Sequence, residues 1–132
     1  MIGQLPPYAV ATPVFRFRAL AMHAGRAALG GDREIALTCF AVARLAAGML
    51  PPFMLTPGDA QARAAATKQW LSSLTLQGGA RAAASSVIDG VIAGNRKSAG
   101  AALRHLAEVA KAKLDASSLN ELNEAVAELL AT

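Results

Sequence analysis

The sequence has a single cysteine, two histidines and nine carboxylates in 132 residues. One thiol excludes an intramolecular disulfide framework and a thiol-rich metal site. Charged residues make up 17% of the chain against 54% hydrophobic ones, which excludes a disordered polyelectrolyte. Long apolar runs are also missing. After residue 15 the longest uncharged stretch is 45–58, broken by Pro51, Pro52 and Pro57 and short of the about 20 residues that span a bilayer. Residues 1–15 are uncharged too, but they carry Pro6, Pro7 and Pro13 and lack the basic start of a secretory signal. The expectation is an extended N-terminal arm over 1–13, a single helical domain over 14–132, no membrane span and a cytoplasmic location.

Alanine is what the chain has in excess: it supplies 32 of the 71 hydrophobic residues. Alanine favours helix and buries little surface. With almost no strand signal, the fold class is all-α, a compact bundle or stacked helical hairpins of five to six helices. The first helix is predicted over about 14–29, ending at Gly30-Gly31. Asp32 caps a second that runs to about Met49 and stops before Pro51. Thr56-Pro57-Gly58-Asp59 reads as the start of a third, with threonine as cap and Asp59 reaching back. Its inward stripe is Ala60, Ala64, Thr67, Leu71 and Leu74. A fourth, about 80–93, buries Val87, Ile88, Val91 and Ile92, and Gly90-x-x-x-Gly94 allows one tight crossing. A fifth, about 96–114, turns Ala99, Leu103, Leu106, Ala110 and Leu114 inward. The sixth opens on the capping box Ser118-Leu119-Asn120-Glu121. Between residues 35 and 58 Arg44 is the only charge, so the second helix is placed at the centre of the bundle.

The run 20–43 resembles a tetratricopeptide hairpin, with Gly31 in the turn and Ala36-x-x-x-Phe40-x-x-Ala43 in the second helix. It departs from that family in lacking the bulky aromatic of the first helix, and the unit does not recur 34 residues on. The resemblance implies paired antiparallel helices and a peptide-binding adaptor role. No binding residue carries over.

Chemistry-bearing groups are sparse. His23 has no partner at metal spacing, and His105 has only Glu108 three places on, so no metal site and no cofactor are expected. Cys39 lies on the central helix with Arg44 about 140° away around it, which reads as a buried hydrophobe rather than a nucleophile. No phosphate loop, nucleophile elbow or paired-cysteine motif is present, and no enzyme is expected.

Three binding readings remain. The apolar connection Met49, Leu50, Pro51, Pro52, Phe53, Met54, Leu55 either closes the core or meets another chain. The leading expectation is therefore a non-enzymatic protein interaction module that self-associates as a homodimer, through Met49, Leu50, Phe53, Met54 and Leu55 and an exposed helix stripe. Second, residues 1–114 carry all 13 basic groups and five acids, whereas 115–132 carry four acids and no base. That basic body suits an acidic partner or nucleic acid through Arg16, Arg18, Arg96, Lys97, Arg104 and Lys111, though no aromatics interleave these residues. Third, Arg44 inside an apolar helix is a candidate anion anchor for a small ligand.

Overall fold

The computed structural model describes residues 17–26, 33–49, 59–76 and 78–131. Among them are six α-helices: α1 Arg18–Arg26, α2 Arg33–Ala46, α3 Ala60–Ser72, α4 Gly79–Ile92, α5 Arg96–Ala110 and α6 Ala116–Leu130. A short 3-10 turn, Lys111–Lys113, follows α5. There is no strand among the described residues. The expected N-terminal arm lies outside them.

Helix α2 packs against each of the other five α-helices. Arg33 is its only exposed residue, and Ala36, Thr38, Cys39, Ala41, Val42, Ala43 and Leu45 are buried. The charge-poor second helix is thus the central one. Around it the core joins Phe17, Leu20, Leu71, Ile88, Leu103, Leu106, Leu122 and Leu129. Alanine supplies 12 of the 26 buried apolar residues, so the helices gain contact by approaching closely rather than by interlocking large side chains.

The tightest approach joins α4 to α5. A Cβ placed on Gly90 would lie 2.7 Å from the Ala99 nitrogen and 2.9 Å from its Cα, so only glycine fits there. Gly100 marks a softer approach of α5 to α6, where a Cβ would meet the tip of the Leu130 side chain, Cδ2, at 2.9 Å and Leu129 Cβ at 3.0 Å, side-chain atoms rather than backbone. The two glycines of Gly90-x-x-x-Gly94 therefore do different work. Gly94 faces open space and holds a left-handed φ of +69°, the turn residue after α4. There the Asn95 N–H donates to the Gly90 carbonyl at 2.9 Å and the Gly94 N–H to the Val91 carbonyl at 3.0 Å, the Schellman closure.

Helix α2 ends by the same device. Gly48 sits at φ +79°, the Met49 N–H donates to the Arg44 carbonyl and the Gly48 N–H to the Leu45 carbonyl. The stop expected at Pro51 thus comes earlier, because glycine can take the left-handed turn as soon as it is reached. Two helix starts also differ from expectation. Asp59 is itself the cap of α3, accepting from the Ala62 N–H at 2.8 Å, while Thr56 lies outside the described residues. Asp115 caps α6, accepting from Ser118 N–H at 2.8 Å. The helix begins one turn before the Ser118 box, and Ser118 is buried inside it. The fifth helix ends at Ala110, and its last turn tightens to 3-10.

Substitution separates the two glycine roles. Gly90→Ala drives a methyl into backbone and is expected to destabilise by about 1–3 kcal/mol. Gly94→Ala meets no atom and costs about 1 kcal/mol for its left-handed backbone. Urea unfolding of both variants checks the order; Gly90→Ala unfolding at the wild-type midpoint would contradict it.

Candidate functional site

Of the predicted partner-binding residues, Met49 is described: it is half-buried and packs against the core at the end of α2. Leu50, Phe53, Met54 and Leu55 lie outside the described residues, as does Arg16. Arg44 is half-buried, with its guanidinium carbon 5.4 Å from the centroid of the Phe40 ring one turn back, a cation–π stack. Burial pulls its pKa down from the ordinary arginine value. Arg96, Lys97, Arg104 and Lys111 are all exposed, along α5 and its 3-10 extension, and Arg18 is exposed on α1. Lys97, Arg104 and Lys111 recur every seven residues, one row about 20 Å long at 1.5 Å per residue. Lys111 Nζ is 3.3 Å from Glu108 Oε1, a solvated pair. The folding thus aligns the α5 cations and leaves Arg44 stacked on its own helix.

The titratable groups separate into structural and solvated ones. Cys39 is fully buried, and desolvation pushes its thiol up to about 12, so no thiolate forms at neutral pH. His105 is exposed. His23 ties α1 to the α5–α6 connection: Nε2 donates to the Lys113 carbonyl oxygen at 2.8 Å, and Nδ1 is 3.6 Å from Asp115 Oδ2. Among the described residues no three His, Cys, Asp or Glu side chains gather at metal-binding distance.

Glu121 holds the same junction. Its carboxylate accepts the Ala19 N–H at 2.8 Å and the Leu20 N–H at 3.4 Å, so a residue on α6 caps the first turn of α1. The glutamate expected to complete a local capping box instead supplies an acceptor to a helix about a hundred residues away. Desolvation raises its pKa above the ordinary value; the two N–H donors oppose that, and Glu124 and Asp115 add to it.

Sequence reasoning missed a concavity. A cleft of about 190 Å³ forms where five helix ends converge. Leu45, Ala46 and Gly48 bring the end of α2; Ala60 and Arg63 bring the start of α3. Gly90, Val91 and Gly94 line it from the end of α4, Asn95, Arg96 and Ala99 from the start of α5, and Leu129 from α6. Gln61 Nε2 donates to the Ile92 carbonyl at 2.6 Å, tying α3 to α4 beside it. Arg96 donates to the Glu128 carbonyl at 3.1 Å, tying α5 to α6. Among the described lining residues the cations are Arg63 and Arg96, and Arg44 is not one of them. No single stretch of sequence carries a signal for it, because each helix contributes only its last or first turn.

Comparison with protein-family models, with curated proteins and with solved structures found no match. Among the described residues no helix is long and apolar enough to cross a membrane.

The Glu121 junction makes a signed prediction. Because the folded-state pKa is raised, the titration-linked part of this group's contribution is fully present below the unfolded carboxylate value and is lost as pH rises through the folded one, while its role as acceptor to the α1 N–H groups persists. Glu121→Gln keeps an acceptor and removes the titration, so at pH 7 it is expected to be at least as stable as wild type. Glu121→Ala leaves the Ala19 and Leu20 N–H groups without this acceptor and is expected to cost about 1 kcal/mol. Urea midpoints at pH 4 and pH 7 check both, and an Ala variant indistinguishable from wild type would contradict the capping role.

Proposed function

We infer that the chain is a non-enzymatic helical interaction module that self-associates in the cytoplasm. The observation that carries this reading is where the apolar connection is rooted. Gly48 and Ala60, which stand just before and just after 49–59, both line the cleft between the helix ends. The intervening residues include Met49, Leu50, Phe53, Met54 and Leu55 and carry no charge before Asp59. A segment this rich in methionine and large apolar side chains, anchored at a concavity, suits an adaptable contact between chains. Met22, 47% exposed on α1, and Val109, 37% exposed on α5, add apolar surface elsewhere. A second copy of the chain is the partner of choice, since two-fold self-association needs only one patch.

A second reading, contact with a polyanion, is favoured by the exposed row of Lys97, Arg104 and Lys111 along α5 and the 3-10 turn that follows it. A run of cations at this spacing attracts phosphates in a manner that weakens steeply with salt.

Sedimentation velocity at low micromolar concentration, with and without a short DNA duplex, distinguishes the readings. The expected result is a dimer that ignores DNA, converted to monomer by Phe53→Ala with Met54→Ala at unchanged helical circular dichroism. A monomer that co-sediments with DNA at low salt would overturn self-association in favour of the polyanion reading. A double variant that loses its helicity would place those side chains in the core.

A further inference from the structure

We propose that the outer face of α6, with the cations of α5 beside it, docks on the same face of a second copy of the chain about a two-fold axis parallel to the helices. The proposal rests on the self-association reading and identifies the helix stripe that takes part in it. Ala116, Asn120, Asn123 and Ala127 are all exposed and recur at spacings of four, three and four, one row along α6. Their short side chains let two such rows approach closely. An asparagine in a seam of this spacing favours pairing in a single register.

The charges on either side of the row name the occupant. Helices α5 and α6 pack antiparallel, with Gly100 against Leu129 and Leu130 and with Arg96 donating to the Glu128 carbonyl. At about 100° per residue, Lys97 and Arg104 lie within about 60° of Gly100 around α5, so these exposed cations flank α6. Glu124 lies about 120° around α6 from Leu130, on the flank away from α5. It is three residues from Glu121, which reaches α1. The face therefore has a positive edge on α5 and a negative edge on α6, with the row of short side chains between them.

The two edges are level. Counting about 1.5 Å per residue from the Gly100 contact, Arg104 is about 6 Å along α5 and Glu124 about 8 Å along α6. Both are exposed, and Arg104 forms no ion pair among the described residues. Glu124 accepts one bond within the chain, from Asn120 Nδ2 at 3.3 Å. A two-fold axis along the α6 row exchanges the edges at constant height, so Arg104 of each copy meets Glu124 of the other. An axis across the helices would lay cation on cation. Charge thus selects the arrangement as well as the partner.

Charge reversal at these two exposed positions tests the contact by sedimentation velocity. Arg104→Glu and Glu124→Arg should each raise the dimer Kd by about tenfold or more, since each change acts twice across the axis. Mixed in equal amounts, the two variants should recover a heterodimer, because each reversed charge then faces its opposite. Wild-type dimer that both single variants leave unchanged would overturn this face while self-association by another surface stands. Wild-type chain that stays monomeric would overturn both. Dissociation of the single variants without recovery on mixing would overturn the paired contact. Should a reversal disturb the circular dichroism, Arg104→Gln and Glu124→Gln serve instead, and a dimer unmoved by either overturns the face.

Discussion

Everything in this bundle depends on burying α2 from all sides with small side chains. A helix whose buried side chains include Ala36, Cys39, Ala41, Val42 and Ala43 offers neighbours little area at those positions, so close approach must supply part of the stability. That requirement propagates outward. The crossing of α4 on α5 closes only because Gly90 presents no side chain to the Ala99 backbone, and Gly100 eases the approach of α6 to α5. Packing this tight leaves little room for polar groups in the middle. Thr38 and Ser118 are fully buried, and neither hydroxyl oxygen has a hydrogen-bond partner among the described residues, each a cost of about 1–3 kcal/mol.

Close packing along the helices displaces the irregular geometry to their ends. The ends of α2 and α4 are closed by glycine turns, and the starts of α3, α5 and α6 by the side chains of Asp59, Asn95 and Asp115. Helix α1 instead has its first N–H groups met by Glu121 from α6, with His23 bridging to the same region. Where the ends of α2, α4 and α6 meet the starts of α3 and α5, the bundle leaves a cleft with two arginines and no carboxylate among its described lining residues. The connection that leaves α2 and re-enters α3 starts and finishes at this cleft. The features proposed to carry function therefore sit at helix ends and on the outer face of α6, where the packing of α2 no longer dictates every side chain.

The helices themselves were legible because their signals are local. The charge gap around Arg44 marks the central helix, and the stripes of α3 and α5 name most of the residues those helices bury. Caps were less legible, since Asp115 and Ser118 both suit a helix start and the buried environment of Ser118 decides between them. Glycine roles were mixed for the same reason: Gly90 and Gly94 share a motif, yet one answers to Ala99 and the other to backbone conformation. The reach of Glu121 to α1 and the convergence of Arg63 with Arg96 depend on the packing order of the helices. Spacing along the chain does not encode that order.

The bundle is organised around α2 as its innermost helix, which native-state hydrogen exchange tests directly. Amides of α2 around Cys39 and Val42 should exchange only through global unfolding, with protection equal to the full unfolding free energy, while α1 opens at lower cost. Exchange of the α2 amides through a cheaper local opening, at or below the protection of α1, would contradict the central placement and the packing argument built on it.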